Sequence, residues 1–236
     1  MNLDAFHPTR RALIRALLLA SGFAPAMLSM VARADANSKV PVIPGVQRTT
    51  GDVRINAAPA QVGQLLNPGD VVRTGADGDC VIIIGQHVYL IRENSEIEFF
   101  AEDFAQDENG VVSGTIKMLS GAMLSVFGQT RSDIVTPFAT IGIRGTACYV
   151  ALGAARTYAC VCYGTGELGG AEDGRHLETV VTEYHDSPRY IYPPGAATRI
   201  EKAPVIDHSD AELRMLEALV NRKPPFDKKP GLKPYR

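Results

Sequence analysis

Tryptophan is absent from this 236-residue chain, and aromatic residues together make up only 7% of it. A sugar-binding site wants a broad aromatic platform, and the composition offers none; Tyr149, Tyr158 and Tyr163 read as residues packed in a sheet. Positive charge is also short. With 24 basic against 26 acidic side chains, there is no excess to lay along a phosphate backbone, which removes nucleic-acid binding. The motifs of common catalytic sites are missing as well: no G-x-S-x-G elbow, no H-E-x-x-H, no phosphate loop, no dinucleotide fingerprint. Carboxylate pairs fall in loop-like stretches where nothing fixes their separation, so the chain is not expected to be an enzyme. Beyond the first 34 residues no apolar run is long enough to cross a bilayer.

Those 34 residues read as an address. Arg10-Arg11 is followed by apolar residues and Arg15, then by Ala16–Ala32, apolar but diluted by Ser21, Gly22, Pro25 and Ser29. Ala32, Ala34 and Ala36 supply small-residue cleavage sites. The pattern resembles a twin-arginine export signal, which predicts a periplasmic protein with no membrane span after cleavage. Without Arg10, Arg11, Arg15, Arg33 and Asp4, the remainder holds 20 basic and 25 acidic side chains, a net charge of −5.

Residues 35–45 form a linker interrupted by Pro41 and Pro44. From Val46 short strands follow one another. Val53 and Ile55 alternate with polar neighbours, Pro68-Gly69 marks a turn, and Cys80–Ile84 is an unbroken apolar run suited to a strand covered on both faces. Ile97 and Phe99 alternate with Glu96 and Glu98. Glu102, Asp103, Asp107 and Glu108 form a solvated acidic loop closed by an Asn109-Gly110 turn; their spacing fits no calcium loop. Gly164–Gly174 reads as a loop, with strands resuming at Leu177–Tyr184 and Arg189–Tyr192. Ser209-Asp210-Ala211-Glu212 has the form of a capping box, and Leu213, Leu216, Leu219 and Val220 make a helical stripe behind it. Pro224-Pro225 stops that helix. The tail beyond carries basic residues and prolines and is expected to be solvated. The predicted fold is all-β, a β-solenoid-like or twisted two-layer module with one C-terminal helix.

The segment Thr136–Tyr163 concentrates what is unusual. Arg144 stands between Gly142 and Gly145, and Cys148, Cys160 and Cys162 follow. The guanidinium either satisfies loop carbonyls or a carboxylate, or faces an anionic ligand or partner. Cys160 and Cys162, two apart on a strand, share a face. Whether Cys148 joins them depends on the turn at Gly153–Arg156: an odd-length loop brings all three sulfurs together, whereas a two-residue turn sets Cys148 opposite Val161 on the other face. His185 and His208 are placed to complete a site for zinc, copper or iron. Redox-active thiols, a disulfide from Cys148 to one of the others, or inert thiols, are the alternatives.

The order of motifs resembles the FecR-domain family. V-x-x-x-x-G-D-V at Val46–Val53, L-x-P-G-D-V-V-R-T-G at Leu66–Gly75, the strand at Val81–Ile84, Gly121, the Phe127 region and T-P-x-A-T-I-G-I-R-G-T at Thr136–Thr146 carry it over residues 46–168. Within the last motif the family signature falls on Thr136, Pro137, Ile141, Arg144, Gly145 and Thr146. The resemblance implies a β module that works by protein contact, since named members relay signals from outer-membrane receptors to sigma factors. Those members carry a cytoplasmic segment and a membrane span ahead of the domain, whereas here the domain follows an export signal. The implied role is therefore envelope sensing or scaffolding with a periplasmic or outer-membrane protein partner. The implied organisation is signal 1–34, linker 35–45, β domain 46–168, β extension 169–205, helix 206–222 and basic tail 223–236.

Overall fold

The computed structural model describes residues 40–100, 105–106, 112–172 and 174–228. The export signal, most of the linker, the acidic residues 102, 103, 107 and 108 with their Asn-Gly turn, and the end of the tail lie outside the described residues. In chain order the strands are β1 Gly45–Thr50, β2 Val53–Ile55, β3 Ala58–Pro59, β4 Val71–Thr74, β5 Asp79–Ile84, β6 His87–Ile91, β7 Glu96–Phe99 and β8 Ala105–Gln106. They continue with β9 Val112–Ser120, β10 Ala122–Val126, β11 Arg131–Val135, β12 Ala139–Leu152, β13 Thr157–Gly170, β14 His176–Thr182, β15 Arg189–Ile191 and β16 Ile200–Lys202. Helix α1 spans Asp210–Leu219, and a 3-10 turn spans Pro225–Lys228. Among the described residues the chain is all-β with one α-helix near the C-terminal end, as its turn-punctuated alternation predicts. No helix among the described residues is long and apolar enough to cross a membrane.

The strands form one curled, mixed sheet, a half-barrel organised on the long β12–β13 hairpin. Strands β3, β2, β4, β7, β9 and β11 lead in pairing order to the first half of β12, and β1, β5, β6 and β10 lead to its second half. β9 and β11 run parallel. On the far side, β14 continues the sheet from the second half of β13, and β15 with β16 continues it from the first.

Between the halves the hairpin slips. Arg144 pairs with Thr165 but Ala147 pairs with Tyr163, so Gly145 and Thr146 stand against Gly164 alone. Gly145 (φ 61°) and Gly164 (φ 93°) occupy backbone regions that L side chains rarely enter, which is why glycine sits at the bend. The extra residue inverts the alternation along β12. Ile141 and Ile143, at odd positions, face the inner core before the bulge; Cys148 and Val150, at even positions, face it afterwards.

The inner core lies within the curl and gathers Val72, Ile82, Tyr89, Ile97, Phe99, Ile116, Met118 and Ile134 from strands throughout the sheet. A second core lies on the outside of the β5–β6–β10–β12–β13 half. There Val88, Leu90, Leu124, Tyr149, Tyr158 and Tyr163 meet Leu213, Leu216 and Val220 of the helical segment and Phe226 beyond it. The capping box forms as expected: the Ser209 side chain accepts from Glu212 N–H, and the Glu212 carboxylate accepts from Ser209 N–H.

One sequence expectation fails. Gly164–Gly170 is not a loop but the second half of β13. Glycine weakens a strand's propensity, yet here it permits close approach: a Cβ on Gly166 would lie 2.6 Å from Val161 Cγ2.

Candidate functional site

The signature residues build the bend and its open face. Thr136 is buried; its Oγ1 accepts from the N–H groups of Phe138 and Ala139 and shares a 2.7 Å hydrogen bond with Thr157 Oγ1. This closes the turn that exposed Pro137 occupies. Ile141 is fully buried in the inner core. Thr146 is also fully buried; its Oγ1 lies 2.9 Å from Arg144 O and 3.1 Å from Thr165 O, and accepts from Thr165 N–H at 3.2 Å. Arg144 is exposed, and its Nε donates to Gln129 O at 2.9 Å. Gly142 leaves space for charge: a Cβ there would come within 3.0 Å of both Arg131 Nη2 and Asp133 Oδ1. The register sets Arg131, Arg144, Thr165 and Val181 in one row across four strands, with Asp133, Gly142, Glu167 and Thr179 in the next. Arg131 pairs with Asp133 and, at 3.1 Å, with Glu167.

The second constellation is buried. Thr157 pairs with Leu152 and Gly153 N–H bonds Arg156 O, so the β12–β13 turn has two central residues, Ala154 and Ala155. Cys148 is thereby set opposite Val161 and belongs to the inner core. Cys160 and Cys162 belong to the outer one. With the sheet between them, Cys148 neither joins the sulfur–imidazole cluster nor reaches either cysteine for a disulfide, which corrects its inclusion as a metal ligand. Cys80 lies in the inner core too, and all four thiols are free and buried.

The structure brings together Cys160, Cys162, His185 and His208, whose ligand atoms all lie within 4.8 Å of one another. Strand β13 supplies the two sulfurs. His185 comes from the segment after β14, held where its N–H donates to Cys162 O at 3.0 Å; its φ of 45° is an uncommon conformation for a non-glycine residue and aims the ring inward. His208 comes from the stretch just before the helix cap, with its ring stacked on Tyr149 at 4.9 Å between centroids.

The imidazoles are oriented from behind. His208 Nδ1 lies 2.6 Å from Ile206 O; a carbonyl only accepts, so Nδ1 carries the proton and Nε2 presents its lone pair to the cluster. His185 Nε2 lies 3.3 Å from Asp210 Oδ1, not aligned as a hydrogen bond but close enough for the carboxylate charge to favour a proton on that nitrogen, and Nδ1 faces the cluster. Asp210 is itself steadied by the Tyr184 hydroxyl at 2.8 Å. Inside the cluster, His208 Nε2 sits 3.0 Å from His185 Nδ1, and Cys160 Sγ sits 3.8 Å from the same Nδ1. Hydrogen bonding from Cys162 holds the Cys160 thiol well below its ordinary range, against burial. Burial and the neighbouring Cys160 push Cys162 well above it. The sequence pointed to these four side chains, but not to Asp210 and Ile206 behind them.

No family model and no curated protein matches this chain. Two crystal structures of a candidate anti-sigma factor from Parabacteroides distasonis are similar to it, each with a TM-score of 0.44 and 9% identity. The similarity covers 56% of this chain and 59% of that one, less than two thirds of its length.

Proposed function

We propose that this chain is a non-catalytic module of the bacterial cell envelope that acts by protein contact. Its export signal delivers it to the periplasm, and a periplasmic or outer-membrane protein docks on the sheet face around Arg144, in sensing or scaffolding. The observation that carries the reading is the difference in cover between the two outer faces. One is packed under α1; the other bears the signature arginine and adjoins β14, which pairs with β13 alone among the described strands. Val181 on that edge strand is 72% exposed. An exposed edge with unpaired backbone groups and an apolar side chain is a ready seat for an added strand.

Site-specific photocross-linking in cells tests this. A cross-linking side chain at Thr179 is expected to trap one discrete partner, and Arg144→Glu is expected to reduce that product at least tenfold. The same side chain at Glu201, on β16, serves as the comparison. Equal products from both positions, or a Thr179 product indifferent to Arg144→Glu, would remove the proposal.

A further inference from the structure

We infer that Cys160, Cys162, His185 and His208 form a binding site for one zinc ion that fastens the segment preceding α1 to the sheet. The inference rests on buried chemistry independent of the open face. Four ligand atoms converge from three separate stretches of chain, and each residue is buried. Two sulfurs and two nitrogens in a closed, four-sided arrangement are the donor set of structural zinc sites. Two nitrogens bound to zinc at about 2.0–2.1 Å sit about 3.3 Å apart at a tetrahedral angle, and a nitrogen and a sulfur about 3.6 Å apart. The observed 3.0 and 3.8 Å bracket those spans.

The surroundings are as telling as the ligands. In the orientation set by Ile206 O and Asp210, two neutral imidazoles would direct lone pairs at each other across 3.0 Å. Two acceptors so close need a proton or a cation between them. A carboxylate or carbonyl behind each metal-binding imidazole is the usual outer shell of a metal site, and both are present.

Charge decides between metals. A divalent ion bound by both sulfurs as thiolates, with the thiol protons released to solvent, leaves the buried site neutral. Copper(I) would leave an uncompensated negative charge in the core if both sulfurs bound it, which burial penalises. Ferrous iron would balance the charge but binds such donors more weakly than zinc. An open cavity of about 700 Å³, bounded by Arg92, Tyr149, Asp207 and His208, lies beside the buried cluster.

The test uses the full chain. Elemental analysis after purification is expected to find about one zinc per chain, and cobalt(II) added to metal-free protein is expected to give the intense visible bands of a tetrahedral sulfur–nitrogen site. Cys160→Ser and His208→Gln should each lose most of the zinc, whereas Cys148→Ser should keep it. If the ligand variants fail to fold, the cobalt spectrum of the unaltered chain still decides. Protein that takes up neither metal, copper or iron in place of zinc, or zinc lost as fully from Cys148→Ser as from Cys160→Ser, would each overturn the assignment.

Discussion

The two halves of the β12–β13 hairpin share a continuous pair of strands yet treat their outer faces in opposite ways. Before the bulge that face carries Arg144, Thr165 and Glu167, and solvent reaches it. After the bulge it carries Tyr149, Tyr158, Cys160, Cys162 and Tyr163, and α1 with Phe226 closes over them. One extra residue in each strand, at Gly145-Thr146 of β12 and at Cys162 of β13, reverses which residues face in, so the bend separates an open surface from a second core without ending either strand. Even a carboxylate is admitted beneath the helix. Glu217 is buried because the Tyr163 hydroxyl and the Arg222 guanidinium both donate to it.

Truncating matched apolar residues on the two faces should give the widest separation. Leu216, on the inward side of α1, is fully buried, and Leu216→Ala is expected to cost about 2–5 kcal/mol. Val181→Ala on the open face is expected to stay within about 0.5 kcal/mol. Denaturant unfolding of both variants measures the contrast, and equal losses would mean that α1 does not protect its face. The bend comes next. Gly164→Ala places a Cβ 2.5 Å from Thr146 Oγ1 at a φ of 93°, so the backbone strain of about 1–3 kcal/mol is joined by a clash. A Gly164→Ala protein as stable as the parent would show that the bulge is not needed to divide the hairpin. Slightly smaller is Thr146→Val, which leaves the part-buried Thr165 N–H without its hydroxyl acceptor and should cost about 1–2 kcal/mol in the same assay.

Much of this division was legible in the residues. The β alternation, the capping box at Ser209–Glu212 and the shared face of Cys160 and Cys162 all depend on neighbours within a few positions, where local chemistry decides. The placement of Cys148 was left open between two turn lengths at Gly153–Arg156, and the observed two-residue turn decides it. Ile141 and Ile143 are odd and Val150 is even, so the inward set changes parity across Gly145-Thr146, the mark of a bulge. Gly164–Gly170 misled because glycine-rich stretches usually turn, and the reason this one extends lies in Val161 and Thr146 pressing against it. Asp210 and Ile206 escaped notice for another reason. Their value depends on which imidazole nitrogen they meet, and that is fixed only when β13, the segment at His185 and the start of α1 come together.

The smallest expected effect tests how firmly the two halves are joined. Glu178 on β14, beside the open face, receives two hydrogen bonds from Arg189 on β15, in the covered half, at 2.8 and 2.6 Å. The Arg189 guanidinium holds the Glu178 carboxyl below its ordinary value, against partial burial. A carboxyl lowered on folding contributes stability that is fully present above its unfolded pKa of about 4.3 and is lost as pH falls through its lower folded value. The Glu178 side chain is 32% exposed, so solvent screening limits the pair to about 0.5–1 kcal/mol. Glu178→Gln should therefore lower the melting temperature slightly at pH 7, and the gap from the parent should close as the pH drops from about 4.3 toward 3. A gap that persists unchanged through that range would assign the loss to packing at the β14 edge rather than to the ion pair, and the two halves would then be held by the hairpin and the inner core without electrostatic help at this seam.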